Sequence, residues 1–247
     1  MKLTQVTVVA LGVVASFAAG VFATQAPGAR VDAAERFEVT SIKAVRPTLV
    51  KTIDALKKGD TAKAKDAFEA YDTAWNGIEV YINTRDKDMY NELEKNYQTK
   101  IEEGLKAPKP DVPGLLSNAQ AMLAKYDQAI AMVEKAAPLN PLYDDIARVR
   151  TARSPLRNVN PAMKEGDVAR ARKAFAAFRA NWPKIRDFVK MRSADAYDTV
   201  EKGIPDLDAA LKGPQPSPDQ VAGLVNGMMG KINGVAFQLT TEARKPA

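Results

Sequence analysis

Displaced by 107 positions, the chain matches itself: Lys57, Gly59 and Asp60 meet Lys164, Gly166 and Asp167. The register extends upstream, where Arg46 meets Arg153 and Leu49 meets Leu156. Downstream, Phe68, Trp75 and Ile78 meet Phe175, Trp182 and Ile185, and Tyr90 and Glu94 meet Tyr197 and Glu201. After a one-residue change of offset, Leu105, Lys106, Pro108 and Pro110 meet Leu211, Lys212, Pro214 and Pro216. Self-similarity over so long a stretch means that one supersecondary unit occurs twice, and whatever fold one copy takes the other shares.

Each copy reads as four helices. In the first they are expected over about 40–58, 61–83, 87–106 and 113–136. Gly59 suits the left-handed residue that ends a helix, and Asp60 the cap that starts the next. Phe68, Tyr71, Trp75 and Ile78 recur at three- and four-residue steps and so share one helical face. Phe175, Phe178, Trp182 and Ile185 repeat the stripe. Ser217 before Pro218 is a helix start. Pro155, Pro161 and Pro183 fall within apparent helices of the second copy, where kinks or breaks are expected. Short connections favour antiparallel neighbours. The expected fold is therefore all-α, a tandem repeat of two four-helix up-down bundles over residues 40–139 and 140–247.

Residues 1–26 read as a signal peptide or an N-terminal membrane anchor. Lys2 precedes an uncharged run from Val6 to Ala23 of about 18 residues, suited to export and close to the length of a spanning helix. Residues 27–39, with Pro27 and Gly28, read as a flexible leader. The expected address is the periplasm or another extracytoplasmic space. The chain has no cysteine, so packing rather than disulfides must stabilise it.

Charge separates the copies. Residues 40–139 carry 15 basic and 15 acidic side chains, whereas residues 140–247 carry 18 and 12. From Arg148 to Arg192 there are 13 basic residues against Glu165, Asp167 and Asp187. Such a field favours an acidic envelope membrane protein or an anionic membrane surface, and Arg179, Arg186 and Arg192 are its candidate partner-binding residues. No groove-reading motif points to nucleic acid. A homo-oligomer is open to a chain of this kind. In the aligned copies Asp72 stands opposite Arg179 and Glu79 opposite Arg186, so these could pair across a pseudo-twofold interface.

The chain contains no histidine, which removes the commonest general base and the commonest transition-metal ligand. A non-enzymatic chain is expected. Any metal would have to be held by carboxylates, a hard oxygen set suited to ferric iron, manganese or calcium. Asp72, Glu79 and Glu94 are the candidate metal ligands: Asp72 and Glu79, seven residues apart, share a face. The competing structural role for Glu94 is an ion pair with Arg46, mirrored by Glu201 and Arg153. Met122, Met228 and Met229 fall on apolar positions and read as core.

The run from Lys57-Lys58-Gly59-Asp60 through Trp75, Ile78-Glu79, Tyr90 and Glu94 resembles the extracytoplasmic helical domain of bacterial oxidase-linked high-affinity iron permeases. The likeness covers most of residues 45–135 and again 150–240. It implies an accessory module of iron uptake, with Glu79 and Glu94 as the matching acidic positions and iron as the associated metal. The membrane permease segments with their Arg-Glu-x-x-Glu motifs are missing here. So is the histidine-dependent motif of periplasmic iron-uptake lipoproteins.

Overall fold

In a computed structural model, which describes residues 35–245, all regular structure is helical. The helices are α1 (Phe37–Lys57), α2 (Thr61–Arg85), α3 (Lys87–Asn91), α4 (Thr99–Lys106) and α5 (Val112–Lys135), then α6 (Leu142–Arg153), α7 (Val159–Lys164), α8 (Val168–Asn181), α9 (Arg186–Arg192), α10 (Ala194–Lys212) and α11 (Pro218–Ala243). A π-helical segment, Glu92–Gln98, joins α3 to α4, and 3-10 turns Ser154–Asn158 and Trp182–Lys184 interrupt the second half. The expected signal or anchor, and most of the expected leader, lie outside the described residues.

The anticipated punctuation is present. Gly59 and Gly166 have φ of 69° and 75°, a left-handed backbone that a Cβ would strain. Asp60 and Asp167 each accept a hydrogen bond from the backbone N–H three residues on, at 3.0 and 2.8 Å. Ser217 caps α11 in the same way through Gln220. Pro155 and Pro183 sit at the starts of the two 3-10 turns, where the lost N–H is tolerated. Pro161 instead lies in the first turn of α7, while Pro47 and Pro205 lie inside α1 and α10.

Two expectations are corrected. The leader was expected to run to residue 39, but α1 begins at Phe37, and Val39 is buried. Glu38, only 4% exposed, is held by Arg36 at 2.7 Å and Arg85 at 2.6 Å. Arg36 also donates to the carbonyls of Val133 and Ala136 at 2.6 and 2.8 Å, tying the start of α1 to the end of α5. A buried carboxylate needs partners of this kind, and together they order the segment. The third helix, expected to be unbroken, is widened by the π segment, in which Glu94 and Gln98 both turn toward α2.

Helix α2 holds the middle of the molecule. It packs against α1 on one side and α6 on another, and α6 packs in turn against α11. At Gly77 a Cβ would collide with Thr151 Oγ1 and come within 3.0 Å of its Cα, so only glycine lets α2 and α6 lie this close. Trp75, Tyr71, Tyr126, Phe178 and Trp182 lie in one continuous apolar core, with Met122 and Met228 among them. From Glu35 onward the chain clusters as a single compact unit.

Candidate functional site

The aromatic stripe of α2 points into the core and carries a row of acids along its edge. Trp75 stacks on Tyr90 at 6.2 Å between centroids, and its indole N–H donates to Glu94 Oε2 at 2.6 Å. Asp72 Oδ1 accepts from Gln98 at 2.8 Å and from Asn76 at 3.3 Å. Burial raises the Asp72 pKa, against the lowering field of Arg157. Glu79 meets Arg150 at 3.4 Å with 17% of its side chain exposed. That long contact does not offset the burial, which pushes the Glu79 carboxyl up from 4.5 to about 7, with the Glu94 charge adding to the rise.

The three candidate metal ligands thus lie along α2 and the π segment, each engaged by a different neighbour. Among the described residues no group of three or more acidic side chains gathers to hold a metal ion. The donor set does not fit a resident hard cation, which requires several oxygens converging within about 2.0–2.6 Å of one point.

The expected Arg46–Glu94 and Arg153–Glu201 ion pairs do not form. Arg46 instead clasps Asp127 of α5 with both ends of its guanidinium, at 2.6 and 2.9 Å. Glu94 and Glu201 are taken by the tryptophans: Trp182 donates to Glu201 Oε1 at 2.7 Å, as Trp75 does to Glu94. A buried indole N–H needs an acceptor, and a carboxylate is the strongest one in reach. The signal was legible as a Trp–Glu spacing of 19 residues that occurs in both copies.

Opposite the acids stand arginines from α6 and the turn after it. Arg150 reaches Glu79, and burial with the repulsion of Arg150 and Arg157 lowers the Arg153 pKa to about 10. The Nε groups of Arg150 and Arg153 are buried without an acceptor. Neither of the pairs that a pseudo-twofold interface could make, Asp72–Arg179 and Glu79–Arg186, forms here. Arg179 binds Asp208 at 2.9 Å, Arg186 binds its neighbour Asp187 at 3.4 Å, and Arg192 binds Glu242 at 2.7 Å. The reason is geometric: α6 lies against α2 and so supplies the arginine to Glu79, while Arg179 and Arg186 belong to α8 and α9 and face outward.

Arg179 and Arg186 are about half exposed, and Lys164, Lys173, Lys184 and Lys190 are exposed with them. Sequence reading missed two exposed large apolar side chains in the second half. Met191 is 80% exposed between Lys190 and Arg192, and Phe237 is 73% exposed on α11. The Arg192–Glu242 pair ties α9 to α11. Among the described helices none is long and apolar enough to cross a membrane.

The chain matches no protein-family model and no curated protein.

Proposed function

We propose that the protein is an exported, non-enzymatic helical adaptor of the cell envelope whose basic second half docks on an anionic membrane surface or an acidic membrane complex. The observation that carries this reading is Met191, a large apolar side chain left in solvent between Lys190 and Arg192. An exposed apolar residue on a helix that also carries the exposed Arg186 and Lys190 suits the headgroup boundary of an anionic bilayer, where each basic residue near the surface contributes about 1 kcal/mol. The architecture behind it is a tandem duplication of a four-helix up-down bundle. One copy kept its acids for the internal seam and the other turned the matching positions outward as Arg179 and Arg186. The resemblance to the iron-permease domain would put the adaptor beside an iron-uptake system, its contribution being docking rather than storage of the metal.

The test is co-sedimentation of the protein with vesicles of phosphatidylglycerol mixed with phosphatidylcholine, against vesicles of phosphatidylcholine alone. Binding to the anionic vesicles alone is expected, weakening as salt rises. It should fall at least about tenfold in the triple variant Arg179→Glu, Arg186→Glu, Arg192→Glu. Equal retention on both vesicle types, or indifference to salt, would count against the reading.

A further inference from the structure

Where α1, α2, α6 and the turn after α8 meet, the structure leaves a groove of about 510 Å³. Val45, Ile78, Ala147, Ala152 and Ile185 make most of its lining apolar, and Phe37 closes part of the wall. Two cations, Arg148 and Lys184, line it as well, and among the described residues no carboxylate does. Lys184 donates to Asn181 Oδ1 at 3.0 Å and makes no ion pair among the described residues. The Arg148 guanidinium lies 4.2 Å from the centroid of the Phe37 ring and meets Asp145 at 3.1 Å, with half its side chain in solvent. An adjoining recess of about 400 Å³ shares Ala74, Thr151 and Asn181 with the groove. It is a different environment, since Asp66 and Glu69 there face Arg170 and Lys173.

Sites for small ligands are concave, mostly apolar, about 300–1,000 Å³ in volume, and oriented by a few polar groups. The groove has that size and composition, and the charged groups that line it among the described residues are both cations. We infer that it binds a single-chain aliphatic carboxylate, with the hydrocarbon along the Val45–Ile78–Ile185 floor and the carboxylate at Arg148 and Lys184. The volume argues against a peptide helix, which is about 10–12 Å across with its side chains and could enter with only a few residues of one face. The charge argues against a neutral lipid, which would leave Lys184 beside the groove without an anion, Arg148 having Asp145.

The two proposals can be tested apart, because Arg179, Arg186 and Arg192 line no part of the groove, although Lys184 belongs to the same basic face. The experiment is calorimetric titration of the full chain with dodecanoate below its micellar concentration, alongside dodecanol and acetate. Saturable binding of dodecanoate is expected, with dodecanol weaker by about tenfold and acetate not binding, because the site needs both chain and charge. Ala44→Trp, at an exposed position in the groove wall, should abolish binding with an unchanged far-ultraviolet circular dichroism spectrum. Arg148→Glu with Lys184→Glu should weaken it about tenfold or more. Arg179→Glu with Arg186→Glu should leave it intact even where vesicle docking is lost. No dodecanoate binding, equal binding of dodecanol, or binding unmoved by the Ala44 and Arg148/Lys184 variants overturns the inference. So does an Ala44-sensitive dimer in place of ligand binding.

Discussion

Replacing Glu79 with glutamine should make the protein more stable at alkaline pH and remove most of its pH dependence between pH 5 and 8. In the folded chain the Glu79 carboxyl is raised from 4.5 to about 7 because burial disfavours its charged form. Between those values the native state holds a proton that the unfolded state has lost, so stability falls as pH rises across that window and levels off above it. A rise from 4.5 to about 7 corresponds to roughly 3 kcal/mol of native-state penalty at pH 8. The absence of histidine leaves few other groups to obscure the effect. Asp72 is raised too, by its burial, and acts in the same direction. Asp60, Glu165 and Asp208 are lowered by their hydrogen-bonded cationic partners, so they give up stability only as pH drops below the ordinary carboxylate range. Glutamine keeps an amide oxygen for Arg150 while removing the charge, so part of the roughly 3 kcal/mol should appear as added stability at pH 8. Urea unfolding followed by circular dichroism at a series of pH values gives both curves. A wild-type protein equally stable at pH 5 and 8, or a Glu79→Gln protein that keeps the wild-type slope, would refute the reasoning.

Gly77→Ala should destabilise the protein by about 1–3 kcal/mol, because the new methyl collides with Thr151. Thr151→Ala removes the nearest obstructing atom and should restore part of the loss in the same urea titration. Trp75→Phe leaves the Glu94 carboxylate without its indole donor and should cost about 1.5–3 kcal/mol, and Trp182→Phe should do the same at Glu201. These variants also leave a single tryptophan in either half. Their fluorescence transitions should coincide with the circular dichroism transition, since residues from Glu35 onward cluster as one compact unit; separated midpoints would show halves that unfold independently. Calorimetric titration of the purified protein with ferric iron should show no site that depends on Glu79 and Glu94 together. A stoichiometric site lost in the Glu79→Ala, Glu94→Ala double variant would restore the carboxylates as metal ligands.

Much of the local architecture was legible because it depends on neighbours in sequence. The Lys-Gly-Asp stops, the Asp caps and the aromatic stripe of α2 are set by backbone conformation and helical period, and these act within a few residues. The same local rules marked Pro155 and Pro183 as breaks. Side-chain partners over longer range were not legible. Arg46 has acids at several plausible heights, and which one it meets follows from the rotation of α5 against α1, which brings Asp127 to it and leaves Glu94 to Trp75. The start of α1 depended on a buried carboxylate, Glu38, whose cations come from α2 and from the residue before the helix.

By itself, then, the sequence determined that the chain is helical, where its helices turn, which aromatics are buried, and that positive charge gathers in one half. Tertiary structure alone decided what the ionisable groups do. With Gly77 admitting α6 against α2, Arg150 meets Glu79, and Arg179 and Arg186 face the solvent. The physical reason is range: helical periodicity and capping are fixed by residues three or four apart, whereas the energy of a charge depends on what lies within a few ångströms of it in space.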